Sequence, residues 1–256
     1  MNHPTTPLVT YALRLGDDAL VLSHRLGEWV TNAPQLEEDV ALANIGLDLL
    51  GQARTLLSYA GEVEGAGRSE DDLAYLRDER DFLNLHLVEL PNDDFAVSMA
   101  RQLLFSTYQL ALYDGLTAST DPTLAGVAAK AVKEVDYHRD HADQWMLRLA
   151  LGTDESRRRT LRAMEDVWPY VDELFSDDAA GGTDLFDALE GVAVRPSSLR
   201  EPFEAEVAPV LAEAQLEQPP VFHAAGGGRR GRHSEYLAPL LAELQVLARQ
   251  HPGATW

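Results

Sequence analysis

The 256-residue sequence contains no cysteine. That absence removes disulfides, iron–sulfur clusters, thiolate zinc sites and thiol nucleophiles together, so any metal would need histidine and carboxylate ligands. Lysine is nearly missing too: Lys130 and Lys133 are the only two, and every other basic residue is arginine. Cations of either kind are outnumbered, 21 Lys and Arg against 42 Asp and Glu, for a formal charge of -21. A surface that binds a phosphate backbone needs clustered Lys and Arg, so no nucleic acid partner is expected. The acid is spread along the chain and reads as a solvated surface. No uncharged apolar run approaches the roughly 18 to 20 residues of a membrane span. The opening MNHPTTPLVTYA also lacks the basic and apolar regions of a signal peptide. The expectation is a cytoplasmic protein without a membrane partner.

Strand-like alternation is scarce, and helical signals fill the space. Long helices are expected over about 6–30, 35–63, 94–118 and 122–151, with a shorter helical piece over 69–88. The fourth long helix should be capped by Asp121, with Pro122 in its first position. Smaller helices fit 154–175, 183–190, 197–216 and 234–250. In the first long helix Leu8, Ala12, Leu15, Ala19, Leu22, Leu26 and Trp29 alternate steps of four and three. Leu42, Ile45, Leu49, Gln52 and Leu56 do so in the second, and Phe95, Met99, Gln102, Ser106, Gln109, Tyr113 and Leu116 in the third. The fourth gives Leu124, Ala128, Ala131, Val135, His138, Ala142, Trp145 and Leu149. Four such seams describe an all-α four-helix bundle, about 6–151, with a helical extension at about 154–250 in the same domain. The second helix is apolar on further faces, which asks for cover from the C-terminal helices or another subunit.

The stretch KEVDYHRDHADQW, 133–145, tests whether the bundle holds metal. Carboxylate-bridged di-iron and di-manganese bundles use one Glu from each of two helices and an inward Glu-x-x-His pair from each of the other two. Here the inward pairs with that spacing are Leu49 with Gln52 and Val135 with His138, and Ala19 and Ser106 lie inward on the other two helices. One imidazole, an amide and a hydroxyl cannot offset the charge of two metals. His138 therefore reads as a hydrogen-bonded core histidine, with Gln52, Gln102, Ser106 and Gln109 as candidate partners. Rotating each helix by a residue gives the alternative, an atypical metal site drawing on Asp18, Asp48, Glu134, His138 and His141. The polar stripe Asn44, Asp48, Gln52 reads as a buried hydrogen-bonding or subunit-facing track. The loop AAGGGRRGRH is either a mobile connector or a positive cluster, Arg229, Arg230 and Arg232, that contacts the phosphates of a large ligand or an acidic partner surface.

Several long stretches carry a resemblance: LRLGDDALVLSHRLGEWVTNAPQLEEDVALANIGLDLLGQAR, RDERDFLNLHLVELPNDDFA, KEVDYHRDHADQWMLRLALGT, GGGRRGRHSEYLAPLLAEL and the closing PGATW. Together they span nearly the whole chain and resemble the C-subunit family of phenylacetyl-CoA epoxidases. The resemblance implies a ferritin-like bundle that pairs with a homologous catalytic A subunit holding the di-iron centre. It also implies a separate reductase with NADPH, flavin and iron–sulfur cofactors, and no cofactor in this chain. The sister subunit's ligand positions would fall on Ala19, Leu49, Gln52, Ser106, Val135 and His138, of which His138 alone matches. The expectation is a non-catalytic subunit of an oxygen-dependent enzyme that epoxidises the ring of phenylacetyl-CoA, with self-association when the partner is missing. The rival is a metal-dependent bundle enzyme in its own right.

Overall fold

The computed structural model describes residues 6–177, 184–220 and 222–254. Position 183, where one short helix is expected to begin, and the last two residues of PGATW lie outside them. Ten α-helices and four short 3-10 segments make up the described residues, and no strand occurs among them. The four long helices are α1 (Pro7–Gly27), α2 (Leu36–Glu64), α5 (Phe95–Leu116) and α6 (Pro122–Ala150). Their starts follow the local chemistry. Asp121 accepts from the amides of Thr123 and Leu124 at 3.0 and 2.9 Å, with Pro122 in the first turn where its missing N–H costs nothing. Asp94 caps α5 in the same way.

Helices α1 and α2 form one close hairpin and α5 and α6 another, joined by contacts between α2 and α6. Gly16 sets the first approach: a Cβ there would stand 2.9 Å from Leu57 Cδ2. Nearly every seam residue is buried, including Ala19, Leu49, Gln52, Ser106, Val135 and His138. Only the ends drift. Trp145 and Leu149 are half-buried, and Met146 and Ala150 take the interior positions in the last turns of α6. No helix of the described residues is long and apolar enough to cross a membrane.

The segment expected as one helix over 69–88 is instead broken into α3 (Glu70–Tyr75), a 3-10 turn (Glu79–Asp81) and α4 (His86–Glu89). The backbone amides of Leu83 and Leu85 are bound at 2.8 Å by the carboxylates of Asp17 and Asp18 on α1, so this stretch satisfies its donors without a helical ladder. The expected helix 154–175 stays α-helical as α7 (Asp154–Val167) and tightens to 3-10 over Trp168–Phe175. Pro169 lacks the N–H that an α-helix would use there. After α8 (Leu185–Ala188), α9 (Arg200–Glu213) is entered through a 3-10 turn at Pro196–Leu199, and α10 (Leu237–Gln250) starts three residues later than the pattern suggests. Among the described residues the main packing of the C-terminal helices is elsewhere than on α2: α7 and α9 pack on α5 and α6, and α10 packs on α3 and the 79–81 turn. Leu36, Val40 and Leu47 of α2 remain exposed, as does Tyr137 of α6.

Candidate functional site

The middle of the bundle holds a polar cluster built by three helices. Gln52 Oε1 accepts from Gln109 Nε2 and from the Tyr113 hydroxyl, each at 3.1 Å, and its Nε2 donates to Glu134 Oε2 at 3.2 Å. Burial pushes the Tyr113 hydroxyl well above its ordinary pKa, so it serves as a donor. Ser106 turns back to donate to the Gln102 carbonyl of its own helix at 2.6 Å. His138 bonds none of the four partners expected from the seam. Its Nε2 lies 3.1 Å from Asp48 Oδ2, reaching past the seam to the half-exposed edge of α2. Burial lowers the pKa of the ring and the Asp48 carboxylate partly restores it, which leaves a neutral imidazole at pH 7.

Glu134 and His141, which the seam places outside, are also engaged. Glu134 meets Lys130 at 3.2 Å as well as Gln52, and His141 Nε2 meets Glu38 Oε2 at 2.7 Å. The residues of the alternative metal site are thus distributed over separate partners: Asp48 with His138, Glu134 with Gln52, His141 with Glu38. Asp18 is bound elsewhere, by Arg229. Among the described residues no three His, Asp or Glu side chains converge in a metal-holding group.

A second and larger polar cluster lies where α1 meets the 77–90 segment, the 3-10 stretch after α7 and a strap over 226–234. The Asp17 carboxylate is fully buried and bound by both terminal nitrogens of Arg77. Asp18 accepts from Arg229 Nη2 at 2.7 Å, and burial nonetheless raises its pKa to about 6. Glu173 accepts from the amides of Gly227 and Gly228 at 2.8 and 2.9 Å, and Glu89 from that of Ser234 at 2.7 Å. Gly228 is required by contact, since a Cβ would fall 2.0 Å from the carbonyl oxygen of Asn84. Periodicity gives no sign of this cluster. The signals that do exist are the paired acids of LGDDAL inside an apolar helix and the lone Glu89 in LHLVELP.

Arg229 is accordingly not a contact held out for CoA or a partner. Its guanidinium donates to the carbonyls of Arg14 and Leu83, both at 2.9 Å, and to Asp18, and its side chain is 12% exposed. The strap is anchored, not a mobile connector, and Arg230 and Arg232 are its exposed arginines. Over residues 1–256 the sequence matches the family described as Phenylacetic acid catabolic protein. The chain belongs to that family. It is 49% identical to the 1,2-phenylacetyl-CoA epoxidase C subunit of Escherichia coli (strain K12) over 249 residues, which are 97% of this chain and 99% of that relative.

For a phenylacetic acid catabolic protein with this interior, a di-iron centre does not fit the residues at the implied ligand positions. Ala19, Leu49 and Val135 offer no donor atom, Ser106 and Gln52 are neutral and already bonded within the chain, and His138 is committed to Asp48. Arg229→Ala should lower the stability of the fold by about 1.5–3 kcal/mol, the range for hydrogen bonds to charged groups, because it also strips the buried Asp18 of its cation. Arg230→Ala and Arg232→Ala should each stay within about 0.5 kcal/mol. Urea unfolding of the three variants checks both expectations.

Proposed function

We propose that this chain is the non-catalytic subunit of a multicomponent, oxygen-dependent enzyme that epoxidises the ring of phenylacetyl-CoA during aerobic phenylacetate breakdown. The observation that carries the reading is the bundle interior: where a di-iron protein needs inward carboxylates, this one has Ala19, Leu49, Ser106 and Val135, all buried. The iron belongs to a homologous catalytic subunit, and NADPH, flavin and an iron–sulfur cluster to a reductase. This chain's own task is to hold the catalytic subunit in shape. The exposed stripe of Leu36, Val40 and Leu47 supports an interface between subunits on α2, since apolar residues grouped on one helix face are a solubility liability when uncovered.

The test is co-purification with the catalytic subunit and metal analysis of each chain. The isolated chain should take up substoichiometric iron, manganese or zinc after reconstitution, and the catalytic subunit should carry the iron of the complex. Tightly held metal in this chain alone would overturn the reading. Leu47→Glu should weaken association with the catalytic subunit while leaving the melting temperature of this chain unchanged, because Leu47 is 63% exposed. Unaltered association would move the interface to another face.

A further inference from the structure

The strap over 226–234 is held by two histidines in an arrangement that the preceding reading does not use. His86 of α4 places Nε2 at 2.7 Å from the Arg232 carbonyl oxygen and Nδ1 at 3.1 Å from Glu173 Oε2. The second contact is oblique, a close ion contact more than an aligned hydrogen bond. His233, on the strap itself, places Nε2 at 2.9 Å from the Phe82 carbonyl oxygen and Nδ1 at 3.2 Å from Glu89 Oε2. In both rings each nitrogen faces an oxygen that can only accept. A neutral imidazole has one N–H, so it would turn a lone pair toward one of those oxygens; an imidazolium has two and turns no lone pair to either. The side chains of His233 and Glu89 are fully buried, and those of His86 and Glu173 nearly so, so a lone-pair clash here has no water to relieve it.

We propose that His86 is held as an imidazolium ion and, packed against His233 of the strap, forms a pH-sensitive latch that keeps the 226–234 strap closed over the 79–90 segment. The charge around them fits. Asp17 is matched by Arg77 and Asp18 by Arg229, whereas Glu173 is in ion contact with His86, and Glu89 with His233. The other groups facing the rings are Glu89 Oε1, 3.7 Å from His86 Nε2, and the Tyr170 ring, 6.2 Å from that of His86. The His233 ring lies 6.4 Å from that of His86, centroid to centroid, and brings the Glu89 carboxylate with it. Burial works against a charged His86, yet its close contact with the charge of Glu173, with Glu89 and the Arg232 carbonyl behind it, raises its pKa above the ordinary value. In return Glu173 is held down at about 2, against its own burial.

The sign of the pH dependence follows. A histidine whose folded-state pKa is raised stabilises fully below its unfolded pKa, about 6.5, and loses that contribution as pH rises through the folded value. Glu173 acts in the opposite sense, with a contribution present above the ordinary carboxylate range and lost only as pH falls toward 2. Asp18, raised to about 6, has released its proton by pH 7. Opening between pH 7 and 9 therefore reports His86. Because Glu173 and Glu89 bind the amides of Gly227, Gly228 and Ser234, those amides should lose protection as the latch opens.

The test is nitrogen-15 spectroscopy of the assigned ring nitrogens in the full-length chain, with amide hydrogen exchange measured on the same samples from pH 6 to 9. Both ring nitrogens of His86 should show imidazolium shifts at pH 7. Once the pH passes the folded-state value, protection of the three strap amides, corrected for intrinsic exchange, should fall about tenfold per pH unit for each proton lost. His86→Gln should flatten that dependence; if the variant does not fold, the wild-type spectra decide alone. A neutral His86 ring at pH 7 beneath a protected strap overturns the latch. So does strap protection that stays constant to pH 9.

Discussion

Arg77→Met should lower the stability of the fold by about 3–5 kcal/mol, the cost of leaving one member of a buried ion pair without its partner. The Asp17 carboxylate has no exposed surface, and Arg77 covers it with both terminal nitrogens while stacking its guanidinium 4.2 Å from the centre of the Phe82 ring. Methionine fills much of the volume and none of the charge, so the carboxylate must take up a proton or admit water. The same carboxylate binds the Leu83 amide, so the loss reaches the irregular 77–90 segment as well as α1. Asp17→Asn in the Arg77→Met background should recover part of the loss, because an amide keeps the acceptor for Leu83 and removes the stranded charge. Urea unfolding with an unchanged m-value is the measurement, and a loss below about 1 kcal/mol would show that water already reaches the pair.

Val135→Glu should cost about 3 kcal/mol or more, since it buries a carboxylate with no cation in reach. Val135 has no exposed surface and lies one turn from His138, whose ring is already bound to Asp48. Ferrous iron should not rescue the variant, because Leu49, Ala19 and Ser106 still supply no further charge. Glu134→Gln, one residue away, should be mild: its side chain is only partly buried, and glutamine can still accept from Gln52. The contrast between neighbouring positions reads the inward direction of α6 directly. Equal melting temperatures for the two variants would place the seam one residue off.

The heptad pattern reports the side of each long helix that faces the middle of the bundle, and for Leu42 through Leu56 and Leu124 through Ala142 it does so without error. It says nothing about the opposite side, and that is where the larger polar cluster lies. Helices α1 and α5 are buried almost all round, so Asp17 and Asp18 can be off the seam and still inside. Their partners, Arg77 and Arg229, stand 60 and 211 residues away along the chain. Spacing within a helix cannot name a contact of that separation, and a glycine-rich strap looks the same in sequence whether it is anchored or loose. His138 was legible as a hydrogen-bonded core histidine but not in its choice of Asp48, because periodicity names the face a residue takes and not which residue at the edge of the neighbouring helix meets it.

The two lysines have a practical consequence. Lys130 and Lys133 both project from the outer face of α6, a single turn apart, and Lys130 is 75% exposed at its side chain. Apart from the terminal amine, an amine-directed dye or cross-linker therefore has one helix face to react with. A fluorophore on Lys130 would stand one carboxylate, Glu134, away from the Gln52, Gln109 and Tyr113 cluster. With no native thiol to compete, a cysteine introduced anywhere else adds a second and chemically independent address, so distances across the molecule can be measured without first removing any residue.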